Sequence, residues 1–497
     1  MAVWKALAMP KFLQGNVVTD SKTLQIQRMK CRDHELDDPH TDLFKVELAA
    51  LLNLDHPMVR LADEFEWDQF KQSLEAMWDN EKGRPAIDTR LMVSLHYLKY
   101  TFDLSDEDVV EGWVQNPYWQ YLSGMRYFQH AAPLHPSSMS RWRGRAGQAG
   151  AEELLEQTIR AGVKMKAIKK SQLERVNVDT TVQEKHVRFP TDSRLYDRAR
   201  ERLVKAAQAE KLNLRQSYKR VGKRLLMQQG RYAHARQMKR AKRCQRKLRT
   251  ILGRVIRDIE RKSGGNVSAD LGELLDCSKR IHAQQRYDKN KVYSVHAPEV
   301  ECLSKGKAHK RYEFGVKVSV ATTSKGGWHV GAMSCPGNPY DGHTLRGAME
   351  QVKRMMREEP KQTFVDQGYR GHNYEGPSEV HVDKKTRGKT PRRLWKWMKR
   401  RAAVEPGIGH LKSEHRMERN RLHGEQGDMV NAVLSAAGMN FHKLMRHFAG
   451  FFCRVGVAWL DQWTARLGHW AAWLDRICVW RHDSLSLGIA NTAQYRF

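Results

Sequence analysis

Two kinds of hydrophobic pattern divide the chain, and the first of them is helical. Leu91, Leu95 and Leu98 recur at i, i+4 and i+7, which predicts an amphipathic helix with one buried face. Asp88 stands just before this helix and is a candidate for its N-terminal cap. We interpret residues 1–165 as a helical N-terminal domain.

A further helix is predicted after Ser105, which forms a near match to a capping box with Asp108. Ser137 or Ser138 is a candidate cap for the next helix, which is rich in arginine. These short helices favour a helix-turn-helix unit that contacts DNA over the alternative of a plain helical bundle with solvated arginines. The candidate DNA-binding residues of this region are Arg141, Arg143 and Arg145.

The second pattern consists of short apolar runs rich in valine and aromatic residues, which predict buried strands. Two such runs, RVNVDTT and QTFVDQGY, each deliver one aspartate, Asp179 and Asp366. Strands and helices in this order predict a mixed α/β domain over residues 170–450. Its other predicted strands and helices lie in KVYSVHAPEVECL, KRYEFGVKVSVATT, GWHVGAMSC, LRGAMEQVKRMM, VHVDKK and RAAVEPGIGHLK.

Between the first two predicted strands the chain becomes an almost uninterrupted basic helical sequence. From Tyr196 to Lys262 leucines recur at helical spacing and prolines are absent. We interpret residues 196–285 as a basic helical insertion, whose charge forms either a solvated face or an arm that follows phosphates. Its candidate DNA-binding residues are Lys239, Arg240, Lys242 and Arg243.

Residues 451–497 form a Trp-rich tail in which Trp459, Trp463, Trp470, Trp473 and Trp480 recur at roughly helical spacing. We expect this tail to be helical and to contribute to the core or to a subunit contact, with base stacking as a third and weaker alternative.

Charge indicates the kind of partner. The 497 residues include 87 Lys and Arg against 56 Asp and Glu, a formal net charge of +31. Such an excess favours a polyanion, most often nucleic acid, with an anionic membrane surface as the alternative. No apolar run approaches the ~20 residues that span a bilayer, and the N-terminal sequence has no signal-peptide pattern. We therefore expect a cytoplasmic protein.

Cysteine usage excludes two kinds of site. The 7 cysteines are scattered, without a close pair. They predict neither a disulfide framework nor a Cys-x-x-Cys zinc site.

The stretch RAAVEPGIGHLK places Arg401, Glu405, Ile408 and Lys412 on one helix face. A carboxylate between two cations suits a site for a divalent metal and a phosphate backbone, although ordinary ion pairs on a solvated helix are the alternative. Pro406 follows the glutamate directly, so the helix either begins close to Glu405 or is kinked there.

Several stretches together resemble a known family. VNVDTT, GNPYDGHTL, FVDQGYRGH, VEPGIGHLK and RMERNRL are similar to bacterial insertion-sequence transposases of the DDE type, within them the insertion sequence five family, over residues 55–448. A related group carries Tyr, two residues, Arg, three residues, Glu, six residues, Lys. Arg401, Glu405 and Lys412 fit its last three terms, and Met398 stands at the tyrosine position.

The resemblance implies a ribonuclease-H-like catalytic core and a protein that binds the terminal inverted repeats of its element. Asp179, Asp366 and Glu405 would be the catalytic metal ligands for two Mg²⁺ ions, for which Mn²⁺ can substitute. Arg401 and Lys412 would meet the phosphates of the transposon end. Double-stranded DNA is the implied partner for strand cleavage and strand transfer, with a homodimer or higher assembly on paired ends and a nucleoid association.

Two other classes of function fit the same residues. One is a domesticated, non-catalytic DNA-binding protein, against which the presence of all three acidic residues argues. The other is a nuclease of the same fold that only hydrolyses DNA. Four histidines lie near these motifs and are interpreted as structural: His343, His372, His410 and His415.

Overall fold

The computed structural model describes residues 46–75, 87–304, 311–384, 388 and 390–448. The predictions for the Trp-rich tail and for residues 1–45 lie outside these described residues. The N-terminal helices are α1 Leu48–Leu51, α2 Pro57–Glu64, α3 Trp67–Glu75, α4 Thr89–Thr101, α5 Asp106–Gln115, α6 Pro117–Leu122, α7 Ser137–Lys164 and α8 Lys170–Leu173.

Two of the helix caps predicted from the sequence are confirmed. Asp88 accepts a hydrogen bond from the Leu91 amide at the start of α4, and Ser105 and Asp108 form the predicted capping box of α5. The predicted serine cap of α7 is wrong, because Ser137 is already helical and Pro136 occupies the cap position without a side-chain bond.

A mixed sheet follows the N-terminal helices. Its central strand, β1, pairs antiparallel with β3 and parallel with β5, and β6 continues the parallel side. Strands β2 and β4 both pair antiparallel with β3. The strands are β1 Arg175–Glu184, β2 Glu301–Leu303, β3 Glu313–Thr323, β4 His329–Cys335, β5 Gln362–Val365 and β6 Glu379–Val382.

The strand predictions are confirmed in position more often than in length. The hairpin through SKGG joins β3 to β4 as expected. In KVYSVHAPEVECL only Glu301–Leu303 is a strand, so the prediction of a long strand there is wrong.

Four helices lie between β1 and β2 and pack around a core of their own. We call this group, residues 192–283, the basic helical unit. The apolar face of its longest helix buries Leu248, Leu252 and Ile259. Its helices are α9 Asp192–Ala209, α10 Lys219–His234, α11 Met238–Ser263 and α12 Ala269–Ala283.

The remaining helices cover the sheet and extend the main core into the N-terminal region. The Phe441 ring stacks on Tyr97 of α4 at 4.9 Å between centroids. One continuous set of buried residues therefore runs from α2 through the sheet to the last described helix. These helices are α13 Asp341–Met356, α14 Arg392–Arg400, α15 Val404–Glu414 and α16 at 424–448.

No helix among the described residues is both long and apolar enough to cross a membrane.

Candidate functional site at the carboxylate edge

Three aspartates lie at the same level on three neighbouring parallel strands. Asn177 of β1 pairs with Phe364 of β5, so two residues further along Asp179 lies beside Asp366. Val365 pairs with Val382 of β6, which puts Asp383 beside Asp366 on the other side. Neighbouring strands are ~4.8 Å apart, and side chains at one level of parallel strands point to the same face. The fold therefore brings these three carboxylates together.

Local hydrogen bonds orient these aspartates. Oδ1 of Asp366 accepts the Gly368 amide at 2.9 Å, which caps a short 3-10 turn at Gln367–Tyr369. Oδ1 of Asp179 accepts the Thr180 amide at 2.7 Å. The Asp383 amide donates to the Val365 carbonyl at 2.9 Å, so the level of the third aspartate is fixed by the sheet itself.

A fourth carboxylate belongs to Asp341, the first residue of α13. Its Oδ1 accepts from the Thr180 hydroxyl at 3.1 Å and from Lys317 Nζ at 2.9 Å. A Cβ at Gly368 would lie 3.0 Å from Asp366 Oδ1 and 3.1 Å from Asp341 Oδ2, so both carboxylates press on this glycine. We call the four aspartates, Asp179, Asp341, Asp366 and Asp383, the carboxylate edge.

Asp341 and Asp383 were missed by the sequence reasoning. Asp341 stands in the turn cluster GNPYDGHT, where an acid in the first helical turn has an ordinary explanation in the helix dipole. Asp383 follows β6 in the same way that Asp366 follows β5, and that repeated strand-then-aspartate pattern is the signal that could have found it.

Arg401 supplies a positive charge to this edge. It begins a 3-10 turn, Arg401–Ala403, directly before α15. Its guanidinium lies 3.4 Å from Asp179 Oδ2 and 3.7 Å from Asp383 Oδ2, and its side chain is 13% exposed. Its buried Nε has no hydrogen-bond partner among the described residues. Arg401 therefore faces carboxylates, which was not the contact expected from the sequence.

Glu405 and Lys412 lie on α15, which contacts β1 and buries the side chains of Val404 and Leu411. The helix begins at Val404, so Pro406 falls in its first turn, where a missing backbone N–H removes no helical bond. This resolves the alternative raised by the proline. Glu405 is exposed, one turn beyond the arginine that touches Asp179.

Tyr369 lies close to two carboxylates of the edge. Its ring is buried, and burial together with the charges of Asp179 and Asp341 holds the pKa of its hydroxyl well above the usual value. The phenol therefore stays protonated at neutral pH and adds no negative charge beside the carboxylates.

Of the three arginines predicted to contact DNA on α7, two have the required exposure. Arg141 and Arg145 are exposed. Arg143 is 4% exposed and donates to both carboxylate oxygens of Asp106 at 2.8 and 2.6 Å. The predicted DNA contact of Arg143 is therefore wrong, because its guanidinium forms a buried ion pair with Asp106. This ion pair joins α7 to α5.

On α11 the exposed positions carry the predicted cations and the intervening positions form the core. Ala241, Cys244 and Leu248 are buried at the spacing of one helix face. The opposite face is a candidate surface for nucleic acid, and its exposed cations include Lys239, Arg240, Lys242 and Arg243.

Comparison with known proteins identifies two transposase domains in the chain. A model of a transposase domain, DUF772, matches residues 46–145, and a model of the transposase DDE domain matches residues 289–441. The second match contains Asp341, Asp366 and Glu405 but begins after β1, so only the sheet register associates Asp179 with them.

An uncharacterized protein, ORF8 in the nfe locus of Rhizobium meliloti, is 50% identical over 196 residues, which cover 39% of this chain and 94% of that protein. The chain is therefore a member of the same family as that protein. No solved structure matches the chain significantly. Its two matched domains are both transposase domains, and the chain belongs to the DDE transposases.

Proposed function

We propose that this transposase belongs to the insertion sequence five family, binds the terminal inverted repeats of its element, and catalyses Mg²⁺-dependent strand cleavage and strand transfer. The observation that carries the proposal is the side-by-side placement of Asp179 and Asp366 on parallel strands, with the helix of Glu405 packed on β1.

The sheet supports a ribonuclease-H-like core. Its order is β2-β3-β1-β5-β6, with β4 also paired to β3, so it has an antiparallel side made by β1 to β4 and a parallel side reached after α13. The helix that carries the glutamate follows β6, as such a core requires. The basic helical unit is then an insertion between β1 and β2.

The donor set of the edge fits Mg²⁺. All of its candidate ligand atoms are carboxylate oxygens, which hard divalent cations prefer. Asp179, Asp366 and Glu405 would hold the metal, with Asp341 as an additional ligand beside Thr180. Two Mg²⁺ ions held by these residues would supply activation of the attacking oxygen and stabilisation of the leaving oxygen in a displacement at phosphorus, and Mn²⁺ would supply the same chemistry.

Residues around the edge would hold the DNA. Lys412 lies about two turns beyond Glu405 on α15 and would contact the phosphates of the transposon end. Arg401 would neutralise Asp179 and Asp383 before metal binds and then turn to the phosphate backbone. The exposed cations of α7 and α11 would add sequence-independent affinity, and pairing of two ends would require at least a dimer.

The test has two stages. DNA that flanks the coding region is first searched for short inverted repeats, and a labelled duplex with that end is incubated with the protein and Mg²⁺. A pre-cleaved labelled end is then offered together with a plasmid. Joining of the label to the plasmid is expected; cleavage without joining indicates a hydrolytic nuclease, and binding without cleavage indicates a non-catalytic DNA-binding protein.

A further inference from the structure

A cleft of about 380 Å³ lies on the side of α15 that faces away from Glu405. Ala403, Gly407, His410 and Glu414 line it at spacings of four, three and four, so they form one helix face. Glu405 is two positions after Ala403, about 200° around the helix. Asn177 of β1 also lines the cleft, but none of the four aspartates and not Glu405 does so.

Three potential metal ligands converge at the end of this cleft. Glu414 and His415 stand at the C-terminal end of α15, and His442 comes from α16. One ligand atom from each of the three lies within 4.8 Å of the others. The rings of the two histidines are 5.6 Å apart between centroids. Residues that are separate in the sequence thus present two imidazoles and one carboxylate to a single point.

Hydrogen bonds to His415 and Glu414 occupy one atom of each side chain and leave another atom available to a metal ion. Nδ1 of His415 lies 2.8 Å from the Tyr100 carbonyl oxygen, which can only accept, so Nδ1 carries the proton and Nε2 keeps its lone pair. Nδ1 of His410 lies 2.6 Å from Glu414 Oε1 and orients the carboxylate. Such second contacts, a carbonyl behind a histidine and a donor behind a carboxylate, are typical of metal ligands.

His415 is buried and His442 is half-buried, so both imidazoles are largely withdrawn from bulk water. Arg400, Lys443 and Arg446 line the rest of the cleft and repel a cation. The two arginines are exposed and screened by water, and the Lys443 ammonium donates to the Gly326 and Gly327 carbonyls.

We propose that Glu414, His415 and His442 bind one divalent transition ion of the zinc class, which joins the end of α15 to α16. Two imidazoles and a carboxylate suit Zn²⁺, Co²⁺ or Ni²⁺, whereas Mg²⁺ prefers oxygen ligands. Three protein ligands leave a position open towards the cleft. Because α15 also carries Glu405, the ion would fix the helix that completes the proposed catalytic site.

The experiment uses the full chain with Asp179→Asn, Asp341→Asn, Asp366→Asn and Glu405→Gln, so that every ligand proposed for the carboxylate edge is replaced and the result does not depend on the proposed function. Titration with Co²⁺ is followed by visible absorption and with Zn²⁺ by calorimetry. One bound ion per chain is expected. Its visible absorption should be that of Co²⁺ with few ligands, and excess Mg²⁺ should not displace the bound Co²⁺.

Two ligand variants and two matched controls locate the ion. His442→Gln and Glu414→Gln are each expected to weaken binding by more than about tenfold, since even outer-shell losses cost that much. His447→Gln on the same helix and Glu418→Gln, both exposed, should bind like the parent. Circular dichroism shows that each variant is folded. Absence of a bound ion, or binding that both ligand variants retain, overturns the proposal.

Discussion

The carboxylate edge and the basic helical unit differ in how closely they place charges of the same sign. The edge gathers four acids from β1, β5, β6 and α13, and two cations compensate them: Lys317 contacts Asp341, and Arg401 lies near Asp179 and Asp383. The basic helical unit spreads its cations along helix faces that point to water. Concentrated charge needs a counter-charge close by, whereas dispersed charge is screened by solvent.

This difference separates two functional capacities. A dense group of carboxylates can bind divalent metal, and the removal of one ligand then abolishes a reaction. A dispersed cationic face binds a polyanion through many equal contacts, so the removal of one cation changes affinity slightly. Substitutions in the two regions should therefore differ in magnitude and in the quantity that they affect.

The largest effect is expected at the edge. Asp179→Asn, Asp366→Asn and Glu405→Gln should each reduce Mg²⁺-dependent cleavage by at least about 10³-fold, because each removes a metal ligand whose contribution is several kcal/mol. Binding of the transposon end should remain nearly intact in a protein of charge +31. Cleavage rates and gel-shift affinities measure the two quantities separately.

The matched control is Asp276→Asn, which removes an acid that is 78% exposed on α12. It should leave cleavage unchanged. A variant of Asp179, Asp366 or Glu405 that cuts at the rate of this control would remove that residue from the site.

Asp341 should show an intermediate effect. Asp341→Asn keeps the shape and the contact with Thr180 but weakens any metal contact, so cleavage should fall by about 10- to 100-fold and recover in part at higher Mg²⁺ or with Mn²⁺. The alternative is that Asp341 only pairs with Lys317. That alternative predicts a lower Tm with a cleavage rate that metal concentration does not restore.

How much of this site the sequence could predict depended on the range of the interactions. The caps at Asp88 and Ser105 and the β3–β4 hairpin involve neighbours within a few residues, so local pattern was sufficient. The burial of Arg143 depends on Asp106, 37 residues away on another helix, and arginine composition alone could not reveal it.

The carboxylate edge depends on both local and long-range interactions. Each strand and its aspartate were readable locally, but Asp341 joins them only because α13 starts beside β1. The contact of Arg401 with Asp179 spans 222 positions, and its 3-10 turn separates it from the helix that its spacing predicts. Sequence periodicity predicts which residues share one face of a helix or strand. Which residues that face contacts depends on the register of the sheet.

Arg401 and Lys412 allow a comparison within one structural segment. Each change to Ala should weaken end binding by about 1.5–3 kcal/mol, the cost of a charge-assisted contact. Arg401→Ala should also lower the Mg²⁺ concentration for half-maximal cleavage, because a cation that competes near Asp179 is removed. Lys412→Ala should leave that concentration unchanged. Equal Mg²⁺ requirements in the two variants would show that Arg401 does not compete with the metal.

The smallest effect per residue is expected in the basic helical unit, where it must be measured as a slope. Neutralising Lys239, Arg240, Lys242 and Arg243 together to Gln should make the dependence of log affinity on log salt shallower, by up to about 0.9 for each phosphate that the variant no longer neutralises. All four are exposed, so the free energy of unfolding should change little. The matched control neutralises four other exposed cations further along the same helix, Arg246, Lys247, Arg254 and Arg257, which tests whether DNA binding is confined to its N-terminal part. If neither set changes the slope, these cations are solvated and do not contact DNA, and the DNA affinity must come from elsewhere on the chain.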